Sequence, residues 1–183
     1  NIKDSLQKRY FFKVFANIVA AAANLVTQVI IPRGLGAAQY GNFCFLTDFF
    51  SQFLGFLNMG TSIGFYTKLS KRPRETKLLV FYAGFVMLAV ALSLLTVLAA
   101  TVGGWRGVLW PGQELKYIYG AVVFAGLTWA FQSMNDVEDA YGLTVPAEMA
   151  KIVQKIIGLA LIVVLFLWQW IDMDAVFIFN YVI

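Results

Sequence analysis

Asp48 lies in the stretch FLTDFFSQFLG (45–55), where every other side chain is apolar or uncharged. A carboxylate in such a setting is costly unless it is paired or hydrated, so it marks a place where charge is used. Gln52 and Gly55 follow at steps of four and three and share its helical face, with Ser51 and Ser62 at the margins. The same spacing recurs twice. Asn17, Asn24 and Gln28 form one stripe, and Thr128, Gln132 and Asn135 form another, with Asp136 at its end. Amides and hydroxyls in a line can hydrogen-bond a polar ligand, and a lone carboxylate can carry a proton or a sodium ion. Other chemistry is closed. The chain has no His and one Cys, Cys44, which excludes metal sites built on Cys/His clusters, disulfides within the chain and His-based acid–base catalysis.

Two readings of the stripes compete. Polar side chains between apolar helices serve as hydrogen-bonding glue, worth roughly 0.6–2 kcal/mol each. They also line water-filled cavities. Three stripes on three helices suit a cavity, but for any single amide both readings stand.

The elements that carry these stripes are set by composition. Hydrophobic residues make up 60% of the 183 positions and charged residues 13%, and the mean hydropathy is +0.73. A soluble domain is about half apolar and about a quarter charged; this chain has too few charges to coat one soluble core, so its expected solvent is a bilayer. Seventeen Phe, eight Tyr and five Trp agree, because amphipathic rings gather at membrane interfaces. The net charge of +4 then reports loop orientation, and no nucleic-acid partner is implied.

At about 20 apolar residues per span, the expected fold is an all-α polytopic membrane protein with spans at 11–31, 40–69, 78–102, 117–135 and 147–170, and the start of a sixth at 174–183. The first uncharged run, 14–32, is too long for a secretory signal and contains Asn and Gln. With no initial Met and an end inside AVFIFNYVI, the chain is expected to be a fragment, the N-terminal lobe of a larger protein. Pro32 is expected to end the first span, with Gly34, Gly36 and Gly41 permitting a tight return. At the fifth span, Thr144-Val-Pro146-Ala-Glu148 supplies an expected capping hydroxyl, a first-turn Pro and an acid near the positive helix end. Lys151 and Lys155 are expected to snorkel at the interface.

The Lys and Arg residues sort by side. Lys3, Lys8, Arg9, Lys13, Lys68, Lys71, Arg72, Arg74, Lys77, Lys151 and Lys155 fall on one face of a regularly crossing chain, against Arg33, Arg106 and Lys116 on the other. The positive-inside rule makes the larger set, and the N-terminus, cytoplasmic. Most of the charge in KLSKRPRETK (68–77) is explained as a topological anchor. Lys71, Arg72, Arg74 and Lys77 are also candidates to attract anionic or diphosphate headgroups, at about 1 kcal/mol per basic side chain, and Arg33 is a candidate for the same role on the outer side. Arg33 is also a possible partner for Asp48. Asp136, Glu138 and Asp139 are expected in a solvated cytoplasmic loop.

Pro32-x-x-Leu35-Gly36 followed by Tyr40-Gly41-x-Phe43 resembles the return between the first two spans of polysaccharide exporters. Leu57-Asn58-Met59-Gly60, then Tyr66 and Leu69-Ser70-Lys71, is similar to the family's "L-D-x-G" and the basic tail that closes its second span. The resemblance covers residues 10–75 and points to the multidrug/oligosaccharidyl-lipid/polysaccharide (MOP) exporter superfamily, most like its O-antigen flippase and polysaccharide-transport branch. It implies two six-helix lobes around a central cavity and alternating access, with no cofactor beyond a coupling ion, H+ or Na+. The implied cargo is an undecaprenyl-diphosphate-linked oligosaccharide in the bacterial inner membrane. The implied partners are membrane lipid, the lipid-linked substrate, and the polysaccharide polymerase and glycosyltransferases of the same pathway. Asn58 stands where the family often has Asp, and no Lys or Arg lies in mid-membrane.

Three readings follow: a flippase; a cation-coupled exporter of drugs or small amphiphiles, with Asp48 carrying the ion; and a membrane-embedded transferase or polymerase acting on the same lipid. Short outer loops argue against the enzyme, and a passive scaffold leaves the stripes unexplained.

Overall fold

The computed structural model describes residues 6–72 and 75–182; Lys3 and Arg74, and the side chains of Lys8 and Arg9, lie outside the described residues. The described residues are helical apart from short connections, with no strand among them. In order they form α1 (Leu6–Leu35), α2 (Ala37–Asn58), α3 (Thr61–Lys71), α4 (Thr76–Val102), α5 (Arg106–Leu109), α6 (Leu115–Tyr141), α7 (Thr144–Leu167) and α8 (Met173–Val182). Among the described residues three stretches are long and apolar enough to cross a membrane: Tyr10–Leu35, Thr76–Val102 and Thr144–Leu167. The expected all-α class is observed.

The boundaries depart from expectation where local chemistry overrides the hydropathy pattern. Pro32 does not end the first helix. It lies within α1, where its ring removes one donor, but its carbonyl still accepts from Gly36 N–H at 3.0 Å. Gly36, at φ 77°, is the terminator, because a left-handed residue ends the helical ladder at little cost for Gly. The stretch expected as one span, 40–69, is two helices. Met59 (φ 39°) and Gly60 (φ 80°) turn the backbone left-handed between α2 and α3. Nor does the acidic run sit in a loop. Asp136, Glu138 and Asp139 are half-buried in the last turns of α6, which stops at Gly142 (φ 78°).

The chain divides into two compact units. The first consists of Asn1–Tyr40 with Asn135–Ile183. In it α1 packs along α7. Ala16, Ala23, Ile31 and Leu35 of α1 are buried, at spacings of seven, eight and four, and α7 answers with Gly158 and Ile162. Small residues let two helix backbones approach closely, which is how helices associate where no hydrophobic drive separates them from lipid. The two helices run parallel: Lys13 of α1 pairs with Asp139 just before α7 begins, and Gly34 abuts Ile171 just after it ends.

The second unit is Gly41–Met134. Val97 of α4 and Ile118, Ala121 and Val122 of α6 are fully buried in it, and Ser93 returns its hydroxyl to Ala89 O at 2.9 Å. At one end Phe50 of α2 stacks on Trp110, with ring centroids 5.7 Å apart and planes at 28°, and Phe49 meets the same indole edge-on.

Candidate functional site

On α1 the polar stripe lies one residue, about 100° of rotation, away from the line Ala16–Ala23–Thr27 that faces α7. Asn17, Asn24 and Gln28 are all exposed, and none of their side chains bonds another described residue. They are not glue between α1 and α7. The α2 residues behave alike: Asp48 and Gln52 are exposed and without a hydrogen bond or ion pair among the described residues, while the buried face of α2 is Phe43, Leu46, Thr47, Phe50 and Leu54. On α6 Gln132 is exposed and Asn135 half-buried, both unpartnered; Thr128 is exposed and spends its hydroxyl on Phe124 O at 2.9 Å. The amides thus lie off the packed faces of their helices, among exposed apolar residues such as Ile18, Leu25, Phe45 and Phe131.

Ser62 leaves the Asp48 face altogether, because the break at Met59–Gly60 re-aims α3. It joins a hydrogen-bonded chain that the sequence patterns missed. Asn58 Oδ1 accepts from Thr61 Oγ1 at 2.7 Å, Ser62 N–H at 3.1 Å and Ser62 Oγ at 3.0 Å. The first turn of a helix has free N–H groups; here Asn58 occupies one from outside the helix. Ser62 Oγ lies 2.7 Å from Tyr82 Oη, and Trp129 Nε1–H donates to the same phenol oxygen at 3.2 Å. Since the Ser62 hydroxyl donates to Asn58, the Tyr82 hydroxyl donates to Ser62. The donors therefore run in one direction, Trp129 to Tyr82 to Ser62 to Asn58. Phe65 stacks on Tyr82 at 4.1 Å and 7°, and Phe85 meets Trp129 edge-on. The Leu57-Asn58-Met59-Gly60 motif is therefore a helix break braced by α4 and α6. Asn58 was noticeable in the sequence only as a replacement for Asp; Tyr82 and Trp129 looked like ordinary interface or core aromatics.

A second feature missed by spacing alone lies in the first unit. Asp139 binds the Lys13 ammonium at 2.5 Å and accepts from Thr144 Oγ1 at 3.0 Å. Thr144 is thus not the cap expected of it: Leu143 holds that position with no side-chain cap bond, and Thr144 is the first helical residue. Glu148 is buried and pairs with Lys151 at 2.9 Å, one turn along α7. A buried carboxylate needs such a partner, since removing one member leaves an uncompensated charge.

The basic residues flank the α3–α4 connection. Lys71 closes α3, Arg72 follows it, and Lys77 is in the first turn of α4; all three are exposed, and Arg72 pairs loosely with Glu75 at 4.0 Å. An exposed pair of this kind adds little stability, which leaves the patch available to anionic surfaces. Arg33 stands apart, exposed at the end of α1 on the wall of a pocket of about 540 Å³. Among the described residues no group of three or more His, Cys, Asp or Glu is placed to hold a metal ion. On the buried side of the second unit, Trp110 Nε1 has no hydrogen-bond partner among the described residues.

The described residues are all-α, with three helices among them of membrane-crossing length and apolarity. Comparison with protein-family models, with curated proteins and with solved structures found no match in any of the three.

Proposed function

We propose that this chain is the N-terminal lobe of a membrane transporter of the MOP exporter type. Its cargo would be an undecaprenyl-diphosphate-linked oligosaccharide, moved across the bacterial inner membrane by alternating access. The observation that carries the reading is the set of unpartnered polar side chains off the packed faces of α1, α2 and α6, in a chain whose described residues include three helices of membrane-crossing length, α1 among them. Amides that bond no neighbour and face away from the packed side of their own helix need water or cargo in a bilayer. In this reading α2 and α3 together make the second span, α6 the fourth and α8 the start of the sixth. A helix interrupted at a left-handed pair is a familiar transporter device, because unwound backbone is tolerated where it lines a cavity. Lys71, Arg72, Arg74 and Lys77 gather the diphosphate at the cytoplasmic side. The protein performs no bond-making step itself, and polymerase and glycosyltransferases act before and after it.

Asp48 favours a second reading. An exposed, unpartnered carboxylate is the group a cation-coupled exporter of small amphiphiles would use for H+ or Na+. One experiment separates the two. Movement of labelled lipid-linked oligosaccharide is measured in inverted inner-membrane vesicles carrying the complete protein, beside extrusion of a cationic dye, with ion gradients present or collapsed. Oligosaccharide movement supports the flippase. Gradient-dependent dye extrusion without it replaces that reading by the second, and neither activity ends both.

A further inference from the structure

Arg33 is the charged residue lining a pocket of about 540 Å³, whose other walls are Gly34, Phe166, Leu167, Gln169 and Ile171. Its guanidinium has no ion pair or hydrogen bond among the described residues. The surroundings are closely built. A Cβ added at Gly34 would lie 2.8 Å from three carbons of Ile171, so α1 meets the segment after α7 as closely as a missing side chain permits. Gln169 holds φ 58°, a left-handed conformation that is uncommon outside Gly and clusters at functional positions. The negative helix ends nearby are largely occupied. Trp168 N–H bonds Val164 O, Gln169 N–H bonds Phe166 O, Trp170 N–H bonds Leu165 O, and Gly36 N–H bonds Pro32 O. The guanidinium is left as the full charge facing the pocket.

Position supplies the ligand class. α1 and α7 both have membrane-crossing length, run parallel, and end together here, so the pocket stands at the level of lipid headgroups. Trp168 and Trp170 meet edge-on beside it and are exposed, as aromatic residues of a membrane interface are. Phe166 and Leu167 lead from the pocket onto exposed apolar surface. One cation and one amide with a hydrocarbon wall match a phosphate carrying an acyl chain. A planar guanidinium binds phosphate oxygens in a bidentate fashion.

We infer that this pocket binds the phosphate of a membrane lipid. The Arg33 guanidinium holds the phosphate oxygens, the Gln169 amide donates to them, and the lipid chain lies along Phe166 and Leu167. The inference does not rest on the transport reading, because a resident lipid needs no cargo movement.

The test is titration of the purified chain in a neutral detergent, followed by native mass spectrometry. Phosphatidylglycerol is compared with diacylglycerol, which lacks the phosphate, and with glycerol phosphate, which lacks the chains. Phosphatidylglycerol is expected to bind at one equivalent, and each of the others about tenfold or more weaker, the scale of one charge-assisted contact. Arg33→Gln should weaken phosphatidylglycerol about tenfold, while Lys116→Gln, at an exposed cation outside the pocket lining, leaves it unchanged. Gln169→Gly keeps a residue suited to the left-handed backbone, so it should fold normally and still bind several-fold more weakly. Equal binding of diacylglycerol, or unchanged binding by Arg33→Gln, overturns the assignment. Glycerol phosphate binding as tightly as the lipid overturns the lipid source and leaves a site for free anions.

Discussion

The Tyr82 hydroxyl is the central link of the polar chain in the second unit. It accepts from Trp129 Nε1 and donates to Ser62, and its ring and that of Trp129 are buried. Tyr82→Phe removes both bonds and leaves a buried indole N–H without an acceptor, whereas Ser62→Ala removes the bonds to Tyr82 and Asn58 but leaves the Trp129 donor its acceptor. Hydrogen bonds in membrane proteins are worth about 0.6–1.7 kcal/mol each, and an orphaned buried donor costs about 1–3 kcal/mol. Each variant loses two such bonds, so Tyr82→Phe is expected to lower stability by about 1–3 kcal/mol more than Ser62→Ala, the cost of the orphaned indole, read from thermal unfolding in detergent. Equal losses would show that the indole does not depend on the phenol. Asp48 makes the opposite kind of prediction. It is exposed and touches no described polar group, so Asp48→Asn should leave folded, monodisperse yield within error. If the proposed function holds, cargo movement should fall at least tenfold. Full transport by this variant would remove Asp48 from the mechanism. Asp48 was visible in the sequence because charge in an apolar run is conspicuous. Tyr82 and Trp129 were not, because at helical spacing an aromatic residue in a membrane chain has no mark that separates a hydrogen-bonding role from a packing one.

At the scale of elements, α4 and α6 meet where Gly126 faces Val90. An added Cβ there would lie 2.7 Å from Val90 Cγ2 and 3.3 Å from Cγ1. Val is stiff at χ1 in a helix, so the clash cannot be relieved by rotation and the helices must part. Gly126→Ala should therefore cost about 1–3 kcal/mol, as overpacking does. Val90→Ala in the same chain should restore most of the loss by vacating the space. A double mutant no more stable than Gly126→Ala alone would place the strain elsewhere. Hydropathy located α4 almost to the residue (78–102 against Thr76–Val102) because no charge interrupts 78–102. It missed the break between α2 and α3, since Leu57-Asn-Met-Gly is short and apolar enough to sit inside a continuous run. The decisive event there is a pair of left-handed backbone angles at Met59 and Gly60. It misjudged Pro32 and the acidic run for a related reason. A Pro in the last turn forfeits one bond without ending the helix, and the half-buried Asp139 is tolerated once Lys13 and Thr144 meet it.

For the molecule as a whole, the question is which way the helices cross. In the first unit α1 and α7 are parallel, so the connections on their two ends must lie on opposite faces of a membrane if both cross it. Charge decides which face is which. The end that holds Lys13, Lys151 and Lys155 is the more basic, and Arg33 is the lone cation at the other. Short connections rich in Lys and Arg stay cytoplasmic, so the expectation to be tested is Leu143 inside and both Gln39 and Gln169 outside. All three are exposed, so their side chains can be exchanged without disturbing a core. In a Cys44→Ser background, single cysteines at these positions are treated with an impermeant maleimide on intact spheroplasts, before and after permeabilisation. Cysteine in place of Gln39 or Gln169 should label in intact cells, and in place of Leu143 only after permeabilisation. The reversed pattern would invert the orientation while keeping the parallel pair. Labelling of Gln39 and Gln169 variants from different faces would mean that α1 and α7 do not both cross the bilayer as parallel neighbours. A transport path built on these helices would then have to be abandoned with them.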